Sequence, residues 1–293
     1  MSPVRRFLPA DGVTAAASVL LAAMAAAATL VPLFARDDPL AIGDVLALRL
    51  LPPFSVDPTG AFHLLGTDRF GRDLFVRMML AGRVSLAIGI GGSVLGAAFG
   101  TVVGALAGWR GGGTDRALMA ATDAMLAVPR LVLLLVCAAL WQPGMATVLI
   151  VLAATGWMGV ARIVRGEVEG VRARPFVEAA AALGVRDWRV LWRHVLPNAL
   201  DPAIVATTLG VGNAILLESG LSFLGLGIQP PRPSWGNMIA GGRDLIVTAP
   251  WVALAPGVAL ILTVLAATLL GDRLRDRLAG ESARAARSLA ERA

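Results

Sequence analysis

Residues 174–199, with the sequence RPFVEAAAALGVRDWRVLWRHVLPNA, form an arginine-rich segment between two long apolar runs. The alanines after Glu178 favour a helix, and Gly184 offers a natural stop for it. Asp187 is placed to cap a second helix, which Pro197 is expected to interrupt. The sequence therefore predicts two short helices joined at a glycine elbow, a shape suited to docking in a groove of another protein.

The composition of the whole chain is that of a membrane protein. The 293 residues are 57% hydrophobic, with a mean hydropathy of +0.73, and the apolar residues occur in long runs. All 26 basic residues are arginines and give a net charge of +6. This charge indicates loops beside lipid headgroups, because no soluble basic face for nucleic acid is found. Cys137 stands alone within an apolar run, which excludes an internal disulfide.

About six transmembrane helices are predicted from the apolar runs. The first, preceded by Arg5 and Arg6, is longer than the core of a signal peptide, so we expect an uncleaved helix with its N-terminus inside. Segment 174–199, the turn at Trp109 and the C-terminal tail then lie inside as well. The arginines of residues 35–83 would lie outside, against the positive-inside rule, although about as many aspartates accompany them. The predicted spans are 12–34, 84–108, a run to residue 141 after a mixed segment at 116–130, 145–160, 200–221 and 251–270.

The predicted organisation follows from these spans. A cytoplasmic tip and first helix (1–34) precede an external polar segment (35–83). A core of five spans (84–271) contains segment 174–199 and an external loop (222–248), and a cytoplasmic tail (272–293) ends the chain. The glycines and prolines of the external loop cannot form one helix, so we expect a folded or partly re-entrant loop with Trp235 at the membrane boundary.

The second span carries a glycine at every fourth position. This spacing leaves a stripe without side chains, against which another helix can pack closely in lipid. The stripe fits either a homodimer contact or packing inside the chain, and its length favours internal packing. Its members are Gly92, Gly96, Gly100, Gly104 and Gly108.

Groups for covalent chemistry are hard to find in the sequence. Without lysine, the chain cannot contain a phosphate-binding loop of the Gly-Lys-Ser/Thr type, and no serine lies in a Gly-x-Ser-x-Gly context. His63 and His194 lack partners at metal-ligand spacing, so both are interpreted as polar surface residues. Asp123 is expected near the interface. We predict a non-catalytic conduit that binds no metal or cofactor of its own.

Several motifs in order resemble one family. Segment 174–199 resembles the cytoplasmic EAA loop of permease subunits in bacterial ABC importers. The resemblance begins with Glu178, Ala179 and Ala180 and continues with Gly184. Segments 66–86, 221–236 and 256–276 resemble the C-type permeases of the dipeptide and oligopeptide branch, which also imports nickel complexes. The His-x-Leu-Pro-Asn form favours the peptide branch. The residues completing the motif are His194, Leu196 and Pro197.

The resemblance implies an all-α, type I importer permease in the bacterial inner membrane. It also implies a related, non-identical permease subunit as partner, two ATPase subunits that bind ATP and Mg, and an extracytoplasmic solute-binding protein. The EAA residues would couple to the ATPases. Substrates of such importers include dipeptides, oligopeptides, glutathione-like peptides and nickel complexes. Contacts to the binding protein or substrate are expected from Gln229, Pro230, Pro231 and Trp235.

Two other classes of protein stay open on the residues alone. An ion-coupled secondary transporter would need carboxylates on its pathway, and Asp201 and Glu218 are the candidates, although both are predicted near span ends where structural pairing is expected. A structural or assembly subunit would need neither a coupling loop nor a pathway. Sensitivity of uptake to an ionophore would indicate the first class, and the absence of any uptake the second.

Overall fold

The computed structural model describes residues 10–35, 38–42 and 44–290, so Arg5 and Arg6 lie outside it. Helices dominate the described residues, and the strands there form one two-stranded antiparallel hairpin in which Ser55 pairs with His63. The elements in chain order are α1 (Ala10–Leu30), α2 (Val45–Leu48), β1 (Ser55–Val56), β2 (Phe62–His63), α3 (Leu74–Arg110), α4 (Gly112–Leu126), α5 (Arg130–Leu140), α6 (Met145–Arg172), α7 (Pro175–Ala182), α8 (Asp187–Val190), α9 (Leu196–Ala199), α10 (Asp201–Phe223), α11 (Trp235–Gly242) and α12 (Trp251–Ala290).

The predicted all-α fold with about six spans is confirmed. Five described helices are long and apolar enough to cross a membrane, namely α1, α3, α6, α10 and α12. The sixth candidate is the pair α4 and α5, which meet at an angle of 86°. The predicted mixed segment and third span therefore form a broken helix, and the break lies at residues 127–129, where Pro129 disfavours a continuous helical backbone.

Several helices extend beyond the apolar spans predicted from the sequence. α3 begins at Leu74 instead of residue 84, and α6 continues to Arg172 instead of ending near residue 160. The charges at the start of α3 suggested a loop, but two of the arginines donate to backbone carbonyl oxygens of other segments. Arg77 donates from Nη1 to the carbonyl oxygen of Pro39 at 3.1 Å, and Arg83 donates from Nη2 to that of Thr29 at 2.8 Å.

The glycine stripe of α3 packs inside the chain, against α6, which confirms the internal alternative. A Cβ atom on Gly108 would lie 2.6 Å from the carbonyl oxygen of Arg165, and one on Gly92 would lie 3.0 Å from the Cβ of Leu152. Gly100 and Gly104 face the backbone carbonyls of α6 in the same way. The two helix backbones thus approach as closely as only glycine permits.

The external loop and segment 174–199 lie at opposite ends of α3. At its start, Arg77 donates from Nη2 to the carbonyl oxygen of Pro231 at 3.3 Å, which joins the segment before α3 to the loop before α11. At its end, Arg172 donates from Nη1 to the carbonyl oxygen of Trp109 at 2.7 Å, beside α7. This separation agrees with the predicted topology. The side of the membrane that each end faces stays a prediction.

Candidate functional site

Residues 174–199, called here the coupling segment, fold as two short helices with an elbow. α7 ends at Ala182, and two residues later Gly184 has a φ of +75°, the left-handed conformation that glycine adopts readily. Its N–H donates to the carbonyl oxygen of Ala181 at 2.9 Å, and the N–H of Val185 donates to that of Ala180 at 3.2 Å. These two bonds form a Schellman motif, so the predicted glycine stop is confirmed.

The second helix of the coupling segment differs from the prediction. Asp187 is the first residue of α8 and not its cap, since Arg186 holds the cap position without a side-chain hydrogen bond. Pro197 does not interrupt the helix, because it lies in the first turn of α9, where a missing N–H is tolerated. A π-helical turn at Leu191–Val195 connects α8 to α9 and absorbs the change in hydrogen-bond register.

The coupling segment has a buried base and an exposed outer surface. Val177, Leu191 and Val195 are buried in a cluster with Val164 and Val168 of α6. The outer surface carries four exposed apolar side chains, and Leu183 among them is 84% exposed. These four are Phe176, Leu183, Trp188 and Trp192.

The residues of the predicted EAA motif divide between this base and this surface. Glu178, Ala179 and Gly184 are exposed on α7 and the elbow. Ala180 is half-buried. The later residues of the motif include both classes: His194 is half-buried, Leu196 is buried and Pro197 is exposed. Leu196 therefore supports the segment from within.

The external loop is folded back onto the bundle, as predicted, but Trp235 is not at a membrane boundary. Its side chain is fully buried, and its Nε1 donates to the carbonyl oxygen of Met78 at 3.1 Å. Gly82 leaves the space for the indole, since a Cβ there would lie 2.9 Å from Cζ2 of the ring. α11 enters the bundle because Ser234 and Asn237 cap its first turn reciprocally. Trp235 is thus unavailable for outside contact, whereas Gln229, Pro230 and Pro231 are exposed.

Glu218 is completely buried and links three helices. Its carboxylate accepts hydrogen bonds from Ser85 of α3 at 2.9 Å and from Ser222 of α10 at 2.7 Å. The Ser85 hydroxyl accepts in turn from the backbone N–H of Trp235 at 3.3 Å. The expected structural pairing of Glu218 is therefore found, although with serine hydroxyls. Asp201 is exposed in the first turn of α10.

His63 is buried, so its interpretation as a surface residue was wrong. Its Nδ1 lies 2.7 Å from Oδ2 of Asp73, and its Nε2 lies 3.5 Å from Oδ2 of Asp57. The pKa of Asp57 lies below its usual value, chiefly because the hydroxyl of Thr59 donates to that carboxylate at 2.7 Å and the N–H of Ala61 donates at 2.9 Å. The hairpin turn carries Asp57 and the N-cap position of α3 carries Asp73, and the fold brings both carboxylates to His63. Within the described residues no group of three His, Cys, Asp or Glu side chains could hold a metal ion.

Ion pairs that the sequence did not reveal connect α4 to α6. Asp123 accepts from Nη2 of Arg162 at 2.5 Å, and Asp115 accepts from Nη2 of Arg165 at 2.6 Å. Asp123 is exposed, in keeping with the interfacial position expected for it. The partners are 39 and 50 residues apart in sequence, so no local spacing could identify them.

A cavity of about 360 Å³ opens beside the external loop. Its walls come from residues 68–77, from Pro230 and Pro231, and from α11. Two of its three arginines are paired, because Arg72 donates from Nε to Oδ2 of Asp68 at 2.8 Å and Arg77 donates to the carbonyl oxygens of Pro39 and Pro231. The guanidinium of the third, Arg69, lies over the ring of Phe70. This cavity was not predicted from the sequence.

These features define a class of protein: a polytopic helical membrane protein with a closely packed core, a folded loop at one end and an exposed arginine-rich segment at the other. Residues 100–280 match the family described as "Binding-protein-dependent transport system inner membrane component", and the chain belongs to that family. It is therefore a multi-pass, non-catalytic inner-membrane permease component.

Similar proteins agree with this assignment. The chain is 41% identical to the glutathione transport system permease protein GsiD of Pectobacterium atrosepticum, over 74% of this chain and 72% of the relative. It is 41% identical to the dipeptide permease DppC of Alkalihalophilus pseudofirmus, with the same two coverages. It is 38% identical to the oligopeptide permease OppC of Bacillus subtilis, over 75% and 72%.

A solved structure supports the fold. An inward-facing structure of the MetNI methionine ABC transporter matches with a TM-score of 0.56 and 19% identity, over 69% of this chain and 95% of that one. At this identity the likeness concerns the fold alone. It confirms the predicted architecture of an ABC importer permease.

Proposed function

We propose that this chain is one of two permease subunits of an ATP-driven peptide importer, and that its coupling segment docks on an ATPase subunit. The relatives are named for the transport of glutathione, dipeptides and oligopeptides, which supports peptides as the substrate class. ATP and Mg would be bound by two ATPase subunits, and a solute-binding protein would deliver the substrate.

The observation that carries this proposal is the exposed apolar surface of the coupling segment. Trp188 and Trp192 project from a segment that is too polar to face lipid, since Arg186, Arg189 and Arg193 of the same segment are exposed. Exposed aromatic side chains rimmed by charge are typical of a protein interface. The expected occupant is a groove of the ATPase.

The buried base of the segment explains how a movement would be transmitted. α7 and the π-helical turn pack on α6 through Val177 and Val195. α6 in turn contacts the glycine stripe of α3 without intervening side chains. A displacement of the coupling segment would therefore move α6 and α3 together, because close-packed helices shift as units and do not compress.

The opposite end of the bundle offers the surface for a binding protein. Gln229, Pro230 and Pro231 are exposed on the loop before α11, and Gln229 donates from Nε2 to the carbonyl oxygen of Gly225 at 2.8 Å. This internal bond holds the loop in one conformation. We infer that the loop receives a solute-loaded binding protein.

Reconstitution tests this function. The chain, its permease partner and the ATPases are placed in proteoliposomes with ATP and Mg inside, and a labelled dipeptide is supplied on the binding protein outside. We expect uptake that needs ATP and persists with an ionophore. Uptake that needs an ion gradient instead, or labelled nickel complexes carried in place of peptides, would contradict the proposal.

A further inference from the structure

Arg130 is a charged residue within the bundle to which the proposed function gives no role. It is the first residue of α5, directly after the 86° break that separates α5 from α4. Its side chain is half-buried, and its Nε is inaccessible to solvent and has no hydrogen-bond partner. Among the described residues no carboxylate forms a salt bridge with Arg130.

The position of Arg130 is close to the middle of the membrane. α5 and α6 run antiparallel from the turn at residues 141–144, and the Arg130 guanidinium lies beside Gly156 of α6. The eleven residues of α5 correspond to roughly 16 Å of helix, about half the ~30 Å thickness of a hydrocarbon core. A charge at this depth needs a partner and commonly marks a solute pathway.

Arg130 lines a small cavity between α3, α5, α6 and α10. Its volume is about 40 Å³, and small or hydroxyl-bearing residues form much of its wall. A Cβ on Gly156 would lie 3.2 Å from Nη2 of Arg130, and one on Gly210 would lie 2.7 Å from Oγ of Ser93. The absence of these Cβ atoms keeps the space beside the guanidinium open. A space this small holds a few water molecules or one small polar group.

Three acidic residues of α4 and α10 have other partners. Glu218 accepts from serine hydroxyls, Asp123 pairs with Arg162 and Asp115 pairs with Arg165. The cavity wall itself contains no carboxylate. A guanidinium presents a planar set of N–H donors that matches the two oxygens of a carboxylate. The missing partner therefore has the chemistry of a carboxylate.

We propose that Arg130 binds the carboxylate of the transported solute as that solute crosses the middle of the permease. This inference rests on the proposed function, since a peptide carries a carboxylate at its C-terminus. The site takes one end of the peptide only, because the cavity is far smaller than a peptide. Arg130 thus acts as a specificity-determining residue of the pathway.

The test compares two peptides of the same sequence, one with a free C-terminal carboxylate and one with a C-terminal amide. The peptides are chosen so that the purified binding protein takes both, and each is supplied at saturation to the reconstituted importer. Arg130→Gln should lower uptake of the carboxylate peptide about tenfold or more, because a charge-assisted hydrogen bond is lost. Uptake of the amide should change less than about twofold.

Further variants separate charge from structure. Arg130→Lys should retain part of the uptake of the carboxylate peptide. Arg162→Gln serves as the matched control, since that arginine is exposed and paired with Asp123, and it should affect both peptides equally. Gly156→Ala keeps the charge, but its Cβ displaces the Arg130 guanidinium from its position beside α6. It should therefore reduce uptake of the carboxylate peptide selectively, and it provides a test even if Arg130→Gln does not fold.

The possible results separate this inference from the proposed function. Selective loss of the carboxylate peptide in Arg130→Gln or Gly156→Ala supports it. Unchanged uptake, or equal loss of both peptides, overturns it, and equal loss would assign Arg130 to a carboxylate of the partner subunit. If the unaltered complex carries neither peptide with ATP present, it is the proposed function that fails.

Discussion

Gly104 of α3 packs against the backbone carbonyl oxygen of Ala161 of α6, which a Cβ atom at this position would overlap. A Cβ atom on Gly104 would also lie 2.9 Å from the Cβ of Val164. Neither neighbour can rotate away, because one is backbone and the other is the fixed first atom of a side chain. The contact therefore determines how closely α3 and α6 approach each other.

Replacing Gly104 by valine should separate the two helices. Overpacking of a close interface costs about 1–3 kcal/mol. We expect a lower midpoint of thermal unfolding for the purified complex and reduced uptake. Thermal denaturation in detergent is the measurement.

Gly166→Ala is the matched control for this substitution. Gly166 lies on α6, and a Cβ there would meet nothing within 4 Å. We expect an unchanged or slightly higher midpoint, because alanine is a better helix former than glycine by roughly 0.5–1 kcal/mol. Equal midpoints for Gly104→Val and the unaltered protein would contradict the packing described here.

Glu218 should be important for stability and for the position of α11. Glu218→Ala leaves a cavity and removes the acceptor of two serine hydroxyls, so we expect a loss of about 2–4 kcal/mol in the free energy of unfolding. Glu218→Gln keeps the volume and one acceptor oxygen and should lose less. Denaturant unfolding of the two variants checks the order.

The exposed Asp201 distinguishes this structural role from ion coupling. Asp201→Asn should leave both stability and ATP-dependent uptake unchanged. Uptake that fails in Asp201→Asn and Glu218→Gln while both variants stay folded would favour an ion-coupled carrier.

The start of α3 should depend on Asp73. Its Oδ1 accepts from the N–H of Val76 at 2.9 Å, while its Oδ2 holds His63. Asp73→Ala removes this cap, which contributes about 1 kcal/mol. We expect faster amide hydrogen exchange in the first turn of α3.

Asp73→Asn is the control, because asparagine caps a helix nearly as well. It should preserve slow exchange at Val76 while weakening the contact with His63. Equally fast exchange in both variants would show that the contact with His63, and not the cap, holds this end of the helix. Similar exchange rates in Asp73→Ala and the unaltered protein would contradict a role for Asp73 there.

Local features were the part of the fold that the sequence predicted well. The spans followed from apolar runs, and the elbow at Gly184 followed from one glycine after an alanine-rich helix. The glycine stripe predicted a close internal contact because its spacing repeats on one helix face. It did not identify α6 as the partner, since the sequence of α6 has no pattern that marks the face packed against the glycines.

Features that depend on contacts between distant residues could not be predicted from the sequence. The charge of Arg77 led us to predict a loop there. Its acceptor, the carbonyl oxygen of Pro231, is 154 residues away and could not be predicted from the sequence. Trp235 suggested a membrane boundary, and only the space left by Gly82 shows that its ring is buried. Arg130 was counted as the end of a polar segment, whereas its depth follows from the antiparallel pairing of α5 with α6.

Substitution of Gly184 tests most directly whether the coupling segment transmits the energy of ATP hydrolysis to the pathway. A Cβ on Gly184 would meet nothing within 4 Å, so a substitution there alters the backbone conformation and little else. Its φ of +75° strains a β-branched residue by about 1–3 kcal/mol. Asparagine tolerates this conformation and serves as the matched control.

The deciding measurement is the ratio of peptide molecules imported to ATP molecules hydrolysed in proteoliposomes. Gly184→Val should lower this ratio severalfold while ATP hydrolysis continues, and Gly184→Asn should keep the ratio of the unaltered complex. An unchanged ratio in Gly184→Val would contradict the assignment of residues 174–199 as the coupling segment.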